Sequence, residues 1–373
     1  MSDNSVKKRI LVAMSGGVDS SVTAALLKEQ GHDVMGVSLQ LYERPESTKS
    51  GGKTCCSLTD VMDAARVAKR LGIPFEVVDL RERFKELVID NFTAEYASGR
   101  TPNPCARCNE RIKFGLLLEM AASFGADLLA TGHYARIEQD ADGTYQLLKG
   151  LDPGKDQSYF LFGMNQEQLS RIIFPVGNLE KRVVREHAAR FNLPVAQKQE
   201  SQEICFIPDN DYVRFLEEAG VRPEAGDIVD KSGNKLGSHV GIHKYTIGQR
   251  RGLGIAWKEP LYVTAIDGAA SRVVVGPEED LKRGGLVAEE LTWTDKPISG
   301  TFNGSCSIRY RMQPVPCSAR LIEDGRMQVE FETPQRAVTP GQAVVLYQGD
   351  KVIGGGWIGY GCHHLDGRRG VVA

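Results

Sequence analysis

Short apolar runs alternate with segments of helical period along the first two hundred residues. Strands are predicted for residues 9–13, 33–39, 75–78 and 127–131, and helices for residues 20–30, 58–71, 81–96 and 110–124. Strands and helices alternating at this spacing indicate a parallel sheet covered by helices on both faces. Glycines at positions 31, 72 and 125 follow three of the helical patterns, as is typical of helix ends.

The pattern changes after about residue 210. Turn signals such as KSGNKLG, EDGRM and YQGDK now separate short alternating runs, which is typical of all-β, barrel-like structure. A chain of 373 residues also exceeds one ordinary domain. We therefore predict an α/β protein with a parallel-sheet domain at residues 1–210, a small β-rich central domain at 211–282 and a C-terminal β-barrel domain at 283–373.

The turn between the first strand and the first helix reads Ala13-Met14-Ser15-Gly16-Gly17-Val18-Asp19-Ser20. Adjacent glycines let backbone N–H groups approach an anion closely, and the helix that follows adds its own N–H groups and positive dipole end. Asp19 is unusual in an anion cradle unless it meets a cation, and Mg²⁺ bound to phosphates would satisfy it. An ordinary glycine-rich turn is the alternative interpretation, but the strand–turn–helix context favours phosphate binding.

SGGVDSS matches neither a Walker A loop nor a dinucleotide fingerprint. It resembles the pyrophosphate-binding loop of the ATP pyrophosphatase family, whose members transfer AMP from ATP to a substrate oxygen. The resemblance implies an ATP site. Its residues would be Ala13, Met14, Ser15, Gly16, Gly17, Val18, Asp19 and Ser20, with Leu39 near the end of the second strand and Gly132 after a later strand.

Cellular location follows from two features. The sequence contains neither an apolar run of membrane-spanning length nor a segment with the features of a signal peptide, so a cytoplasmic protein that does not enter membranes is expected. Most of the eight cysteines should then be thiols. The net charge of -2 neither supports nor excludes a local surface for nucleic acid.

Cys105 and Cys108 form a C-x-x-C pair in TPNPCARCN. The prolines predict a rigid turn at Cys105, and Cys108 would precede the helix at 110–124, where the helix N-terminus and the neighbouring Arg107 and Arg111 favour a thiolate. A zinc site would need a second cysteine pair, and inert buried thiols fit poorly with polar surroundings. A sulfur-transfer or redox pair is favoured, and an iron–sulfur cluster held by Cys105, Cys108 and the distant Cys205 is a further alternative.

Five motifs in this order, SGGVDSS, TPNPCARCN, TGHYAR, KDQSYFL and SQEICF, resemble the tRNA-uridine 2-sulfurtransferase family over essentially the whole chain. The resemblance implies adenylation of the C2 oxygen of a tRNA uridine, at wobble position 34, and its replacement by a persulfide sulfur to form 2-thiouridine, with release of AMP and pyrophosphate. ATP and Mg²⁺ are the expected cofactors. tRNA and a persulfide sulfur carrier or cysteine desulfurase relay are the expected partners.

The same resemblance gives roles to single residues. Cys108 becomes the nucleophile, Cys205 carries the persulfide and Asp19 holds Mg²⁺ or acts as a base. Many family members have Asp where this chain has Cys105, and that departure makes a [4Fe-4S] cluster on Cys105, Cys108 and Cys205 more plausible. The tRNA contacts implied are Asn103, Pro104 and Cys105 at the base, Lys155, Asp156 and Gln157 on RNA, and Arg309 with Tyr310 for phosphate and stacked bases.

Two other functions compete with this interpretation. An amidotransferase-type synthetase with the same loop would need an ammonia source and has no use for Cys108 with Cys205. A metal-stabilised nucleic-acid-binding protein would bind zinc and would not depend on SGGVDSS.

Overall fold

The computed structural model describes residues 7–42, 58–199, 204–207 and 209–362. The chain forms two compact units. The first comprises residues 1–88, 105–210 and 350–352, and the second comprises residues 89–104, 211–349 and 353–373. Residues 89–104 thus belong with the β-rich part of the chain, although they lie between two stretches of the first unit. The division into three domains at residues 210 and 282 remains a prediction.

Up to β4 the order of elements follows the predicted alternation, and the antiparallel pair β5–β6 and the elements after it were not predicted. The elements are β1 (Arg9–Ala13), α1 (Val18–Glu29), β2 (Asp33–Gln40), α2 (Leu58–Leu71), β3 (Phe75–Asp79), α3 (Arg81–Phe84), α4 (Asp90–Ala97), α5 (Pro104–Cys108), α6 (Leu117–Ala121), β4 (Leu128–Ala130), β5 (Ala135–Gln139), β6 (Tyr145–Lys149), α7 (Gln166–Ser170), β7 (Ile172–Ile173) and α8 (Lys181–Arg190). One π-helical segment, Lys85–Ile89, joins α3 to α4, and another, Asn109–Leu116, joins α5 to α6.

The first unit contains a parallel sheet with strand order β3-β2-β1-β4-β7. Ile10, Leu11 and Val12 of the central strand β1 are each at most 1% exposed, so both faces of the sheet are covered. Apolar residues of three helices, among them Val22, Val67 and Val184, belong to the same core cluster as Ile10. The predicted α/β class is confirmed.

From residue 211 onward the chain is β-rich, as predicted. It forms α9 (Tyr212–Glu218), β8 (Gly226–Val229), β9 (Lys235–His239), β10 (Tyr262–Asp267), β11 (Arg272–Gly276), β12 (Lys282–Trp293), β13 (Thr301–Ser307), β14 (Val315–Leu321), β15 (Met327–Arg336), β16 (Ala343–Gln348) and β17 (Lys351–Cys362). Four of these strands form a sheet of order β10-β11-β8-β9.

The C-terminal strands close into a six-stranded antiparallel barrel. Its strand order is β12-β15-β14-β13-β16-β17, and β17 pairs back with β12. Leu286, Val329, Val344 and Ile358 lie at 0% exposure in its core. The predicted C-terminal barrel is confirmed. No helix within the described ranges is both long enough and apolar enough to cross a membrane.

Candidate nucleotide and sulfur-transfer site

The loop after β1 turns at two glycines and leads directly into α1. Gly16 has φ +71°, and a Cβ at this position would lie 2.2 Å from the Asp60 carbonyl oxygen, so only glycine fits. Gly17 is the N-cap of α1 with extended backbone and no side-chain cap bond. The first turn of α1 therefore presents N–H groups and the positive end of its dipole, which suits an anion.

Serine hydroxyls of the loop differ in what they contact. The Ser21 hydroxyl is buried and donates to the Gly17 carbonyl over 2.7 Å, and the Ser20 hydroxyl accepts from the Ser15 N–H over 3.2 Å. These bonds hold the turn in shape. Ser15 itself is exposed, so it is the serine of this loop with most access to a ligand.

The other two residues predicted at the ATP site lie at the ends of the strands that flank β1. Gly132 follows β4, and a Cβ there would lie 2.6 Å from the Ser20 nitrogen and 2.8 Å from the Asp19 carbonyl carbon. Leu39 is the penultimate residue of β2 and is half-buried. Since β2, β1 and β4 are parallel neighbours, the loop, Leu39 and Gly132 share the carboxyl edge of the sheet, where ligands of such sheets bind.

Asp19 is held by two side chains distant in sequence. The Lys181 ammonium lies 2.7 and 2.9 Å from its two carboxylate oxygens, and the Tyr134 hydroxyl donates to it over 2.7 Å. The expectation that Asp19 meets a cation thus finds an ammonium in this structure. Neither side chain could be connected with Asp19 from the sequence. Tyr134 lies inside the TGHYAR motif, whereas nothing in the local sequence marks Lys181, which is 162 positions away.

His133 stands beside Gly132 as a neutral imidazole. Burial, together with the nearby charge of Lys113, holds its pKa well below the usual range. Its Nδ1 lies 2.7 Å from the Thr131 hydroxyl, and the rings of Phe114 and Phe174 pack around it. An uncharged donor or acceptor is therefore available at this edge of the sheet at neutral pH.

The prediction of a rigid, non-helical turn at Cys105 was wrong. Pro104 is the first residue of α5, and both cysteines lie within this helix. Proline at the first helical position loses no intrahelical hydrogen bond, and its fixed φ suits a helix, so it starts the helix rather than excluding it. Cys108 consequently lies at the end of α5, where the π-helical segment begins, and not at the N-terminus of a helix starting at Glu110.

Cys108 is 7% exposed but has polar neighbours along the chain. Arg107 is buried and pairs with Glu110 over 3.2 Å, so its charge is matched by a carboxylate. Asn109, also buried, donates to the Phe160 carbonyl over 3.2 Å and accepts from the Lys113 ammonium over 2.9 Å. Cys105 is exposed.

Cys205 is a half-buried thiol in the same compact unit as Cys108. Its neighbour Phe206 is buried and packs edge-on against Phe84, with ring centroids 5.7 Å apart. Ser201, Gln202 and Glu203 of the SQEICF motif lie outside the described residues. An approach of the two sulfurs to each other stays a prediction.

The sequence left zinc and iron–sulfur alternatives open, and the described residues do not favour either. Across residues 7–42, 58–199, 204–207 and 209–362, no three His, Cys, Asp or Glu side chains converge to hold a metal ion. Cys105, Cys108 and Cys205 therefore do not form a ligand set for a cluster in this structure.

Several of the predicted tRNA contacts are buried or hydrogen-bonded within the protein. Asn103 and Pro104 are buried and Lys155 is half-buried.

The Asp156 carboxylate accepts three hydrogen bonds, from the Gly150 N–H and from the N–H and hydroxyl of Ser158. Gln157 accepts from the Tyr134 N–H over 2.9 Å and donates its own N–H to the Tyr134 carbonyl. Asp156 and Gln157 thus support the protein's own turn and the residue that holds Asp19.

Arg309 and Tyr310 lie in the second unit, just after β13. Arg309 is exposed and donates to the Arg336 carbonyl over 3.0 Å, while the guanidinium of the adjacent Arg311 stacks 5.4 Å from the Tyr310 ring centroid. An aromatic ring among arginines suits RNA, and the role remains a prediction.

Three family models together match most of the chain. Residues 8–209 match the tRNA methyl transferase HUP domain, residues 214–277 the tRNA methyl transferase PRC-barrel domain, and residues 283–358 the aminomethyltransferase beta-barrel domain. The first match covers the parallel sheet and both cysteine motifs, and the last covers the closed barrel.

Curated relatives match nearly the full length. A tRNA-specific 2-thiouridylase of Geobacter metallireducens is 58% identical over 356 residues, covering 94% of this chain and 97% of the relative. Relatives of the same name from Geotalea uraniireducens and Heliobacterium modesticaldum are 55% and 52% identical, covering 96% and 95% of this chain and 96% and 93% of the relatives. Identity this high over almost the whole length shows that the chain belongs to the tRNA-specific 2-thiouridylase family.

Proposed function

We propose that this protein uses ATP to convert a tRNA uridine, at wobble position 34, to 2-thiouridine. Support comes from the first unit, which contains both a glycine-turned loop at the carboxyl edge of a parallel sheet and the two motif cysteines, Cys108 and Cys205. An anion cradle and a pair of thiols in one unit suit a reaction in which an oxygen must first become a leaving group and then be replaced by sulfur.

The first chemical step activates the base. The C2 oxygen of uracil is a poor leaving group and must first be activated. Its attack on the α-phosphorus of ATP forms an adenylated base and releases pyrophosphate, so that AMP can leave in the next step. The N–H groups at the start of α1 and the Gly16–Gly17 turn would stabilise the charge on the phosphates. Leu39 and Gly132 would border the adenosine. Asp19 would hold Mg²⁺, whose chemical contribution is to neutralise phosphate charge, and Lys181 would then share the carboxylate or release it.

Sulfur transfer uses both cysteines. A persulfide on a carrier protein or desulfurase passes its outer sulfur to the Cys205 thiol and regains its own thiol. The outer sulfur of the Cys205 persulfide then bonds to C2, and AMP leaves. The Cys108 thiolate attacks the inner sulfur, so the S–S bond of the persulfide breaks and a Cys108–Cys205 disulfide forms. A thiol reductant reopens it for the next cycle.

RNA contacts and domain organisation complete the proposal. The exposed Arg309, with Tyr310, would bind tRNA phosphate and bases, and Lys155 and Cys105 would contact RNA near the reacting uridine. The family-model matches, which change near residues 210 and 280, support domains at 1–210, 211–282 and 283–373. ATP and tRNA as substrates also favour a cytoplasmic location.

The test is reconstitution from purified parts. Protein, ATP with Mg²⁺, a persulfide donor and tRNA lacking 2-thiouridine should give 2-thiouridine by nucleoside mass spectrometry, together with pyrophosphate. Cys205→Ser should bind ATP normally and give no thiolated base. Full activity of Cys205→Ser would refute the mechanism. A methylated base formed only with S-adenosylmethionine, or amidation driven by ammonia, would replace the proposed function with another.

A further inference from the structure

A lysine far along the sequence contacts the backbone of the nucleotide loop. The Lys198 ammonium lies 2.6 Å from Asp60 Oδ1, 2.6 Å from Asp63 Oδ2 and 3.0 Å from the carbonyl oxygen of Gly16. The three side chains are 23%, 9% and 14% exposed, so the cluster is largely withdrawn from water. Nothing in the sequence around Lys198 predicts a contact with this loop.

The bond to Gly16 fixes the orientation of one peptide group. In a trans peptide the C=O and the following N–H point in opposite directions. Because the Gly16 carbonyl points at Lys198, the Gly17 N–H points to the opposite side of the loop. Glycines on both sides of this peptide leave its rotation weakly restrained by their own side chains. The ammonium therefore supplies a restraint that the loop sequence does not.

Asp60 restrains the same glycine a second time. The Asp60 carbonyl oxygen would lie only 2.2 Å from a Cβ on Gly16, so the first turn of α2 packs closely against the loop backbone. The Asp60 carboxylate pairs with Lys198 at the same time. Burial disfavours the charged form of Lys198, but the hydrogen bonds to Asp60 and Asp63 outweigh it and raise its pKa. The ammonium is thus charged at neutral pH and able to donate to the carbonyl.

The backbone at Lys198 is tied to α8. The Arg185 guanidinium donates to the carbonyl oxygens of Ala196 and Lys198 over 3.1 and 3.4 Å. The same helix begins with Lys181, which contacts the Asp19 carboxylate in the first turn of α1. One helix therefore fixes two lysines that contact the nucleotide loop, Lys198 at Gly16 and Lys181 at Asp19.

We propose that Lys198 is a positioning residue for ATP, which aims the Gly17 N–H at the polyphosphate by holding the Gly16 carbonyl away from it. Lys198 does not touch the nucleotide in this scheme. The inference rests on the proposed function only in taking ATP as the ligand of the loop.

The test compares ATP and adenosine binding by calorimetry in wild type and Lys198→Met. Loss of a hydrogen bond to a charged donor should weaken ATP binding roughly tenfold or more. Adenosine, which lacks phosphates, should bind as it does to wild type. A simple loss of positive charge near the phosphates would instead be screened by salt. The ATP defect should therefore persist when the same titrations are repeated at high salt.

Arg66→Met is the matched control. Arg66 pairs with Asp63 over 2.9 Å but does not reach Gly16. The substitution therefore removes one positive charge from the same cluster, as Lys198→Met does, and leaves the bond to Gly16 in place. Its ATP affinity should stay within about twofold of wild type, as for an exposed ion pair. If Lys198→Met does not fold, Lys198→Gln takes its place. The glutamine side chain is shorter than lysine and cannot make all three of the contacts that Lys198 makes. The same ATP-selective loss is expected of it.

ATP affinity within twofold of wild type in the folded lysine variant, a defect that vanishes at high salt, or an equal defect in Arg66→Met would each overturn the inference. Failure of the proposed function is separable from these outcomes. Wild-type protein that binds ATP but forms no 2-thiouridine contradicts the function and leaves the binding test intact.

Discussion

Cysteines of the two units lie in different surroundings. Cys306 and Cys317 are 0% and 4% exposed and belong to the barrel core together with Leu286 and Val329. Cys108 is nearly as buried, at 7%, but its neighbours Arg107, Asn109 and Glu110 are polar and tied into hydrogen bonds. Burial alone therefore does not distinguish the cysteine that we propose as reactive from those of the barrel core. The two environments differ instead in the polarity of the surrounding side chains.

The sharpest way to break this comparison is to remove one thiol from each unit. Cys108→Ala should reduce thiolation to background, because the role proposed for this thiol is chemical. Cys306→Ala should leave the rate of thiolation unchanged and lower the free energy of unfolding by about 1–2 kcal/mol, through lost packing. Thiolation assays and urea unfolding of both variants measure this. The contrast is wrong if Cys306→Ala loses activity at full stability.

Gly132→Ala tests the close approach at the carboxyl edge of the sheet. The added Cβ would meet the Ser20 nitrogen at 2.6 Å and the Asp19 carbonyl carbon at 2.8 Å, and backbone atoms of a helix cannot move aside cheaply. ATP binding should weaken roughly tenfold or more through displacement of the loop. Gly31→Ala is the control, since a Cβ there meets nothing within 4 Å. It should cost stability through its positive φ and leave ATP affinity alone.

A smaller effect is expected of Tyr134→Phe. Its hydroxyl donates to Asp19, but Lys181 still holds both carboxylate oxygens in the variant. Loss of one hydrogen bond to a charged group that keeps its other partner should raise the KM for ATP by about threefold to tenfold. Steady-state pyrophosphate release measures it. An unchanged KM would show that Asp19 needs only its lysine.

The smallest expected effect is a pH dependence of stability that belongs to the barrel. The hydrogen bond to Cys317 and burial raise the pKa of Cys306, so this thiol stays protonated in the folded state. In the unfolded chain it ionises near its ordinary pKa of about 8.5. The free energy of unfolding should therefore be unaffected below that pH and fall above it. Cys306→Ala should show a shallower fall in urea unfolding curves measured across this range.

Much of the architecture could be predicted because local patterns determine it. Alternating strands and helices predicted the parallel sheet, and the turn-separated runs predicted the barrel. The loop after β1, Leu39 and Gly132 were also predictable as one edge, because parallel strands end together. The start of α5 was mispredicted, since a proline can begin a helix as well as exclude one.

Contacts made by long polar side chains could not be predicted in the same way. Lys181 and Lys198 reach Asp19 and Gly16 across 162 and 182 positions, and no period or motif marks either lysine. The hydrogen bond between Gln157 and Tyr134 could not be predicted either, because it depends on a fold that brings TGHYAR and KDQSYFL together. Tertiary geometry, and not local propensity, decides such pairs.

Segment 89–104 has a consequence for biosynthesis. The Thr101 N–H donates to the Pro340 carbonyl over 2.9 Å, and the Gln342 side chain donates to the carbonyls of Thr101 and Pro102. On a ribosome these partners emerge some 240 residues after Thr101 itself. The stretch leading into Cys105 thus acquires its native bonds only when translation is nearly finished. A message truncated within the barrel, before Pro340, would yield a chain that has the nucleotide loop but lacks the hydrogen bonds to Thr101 and Pro102, just before α5.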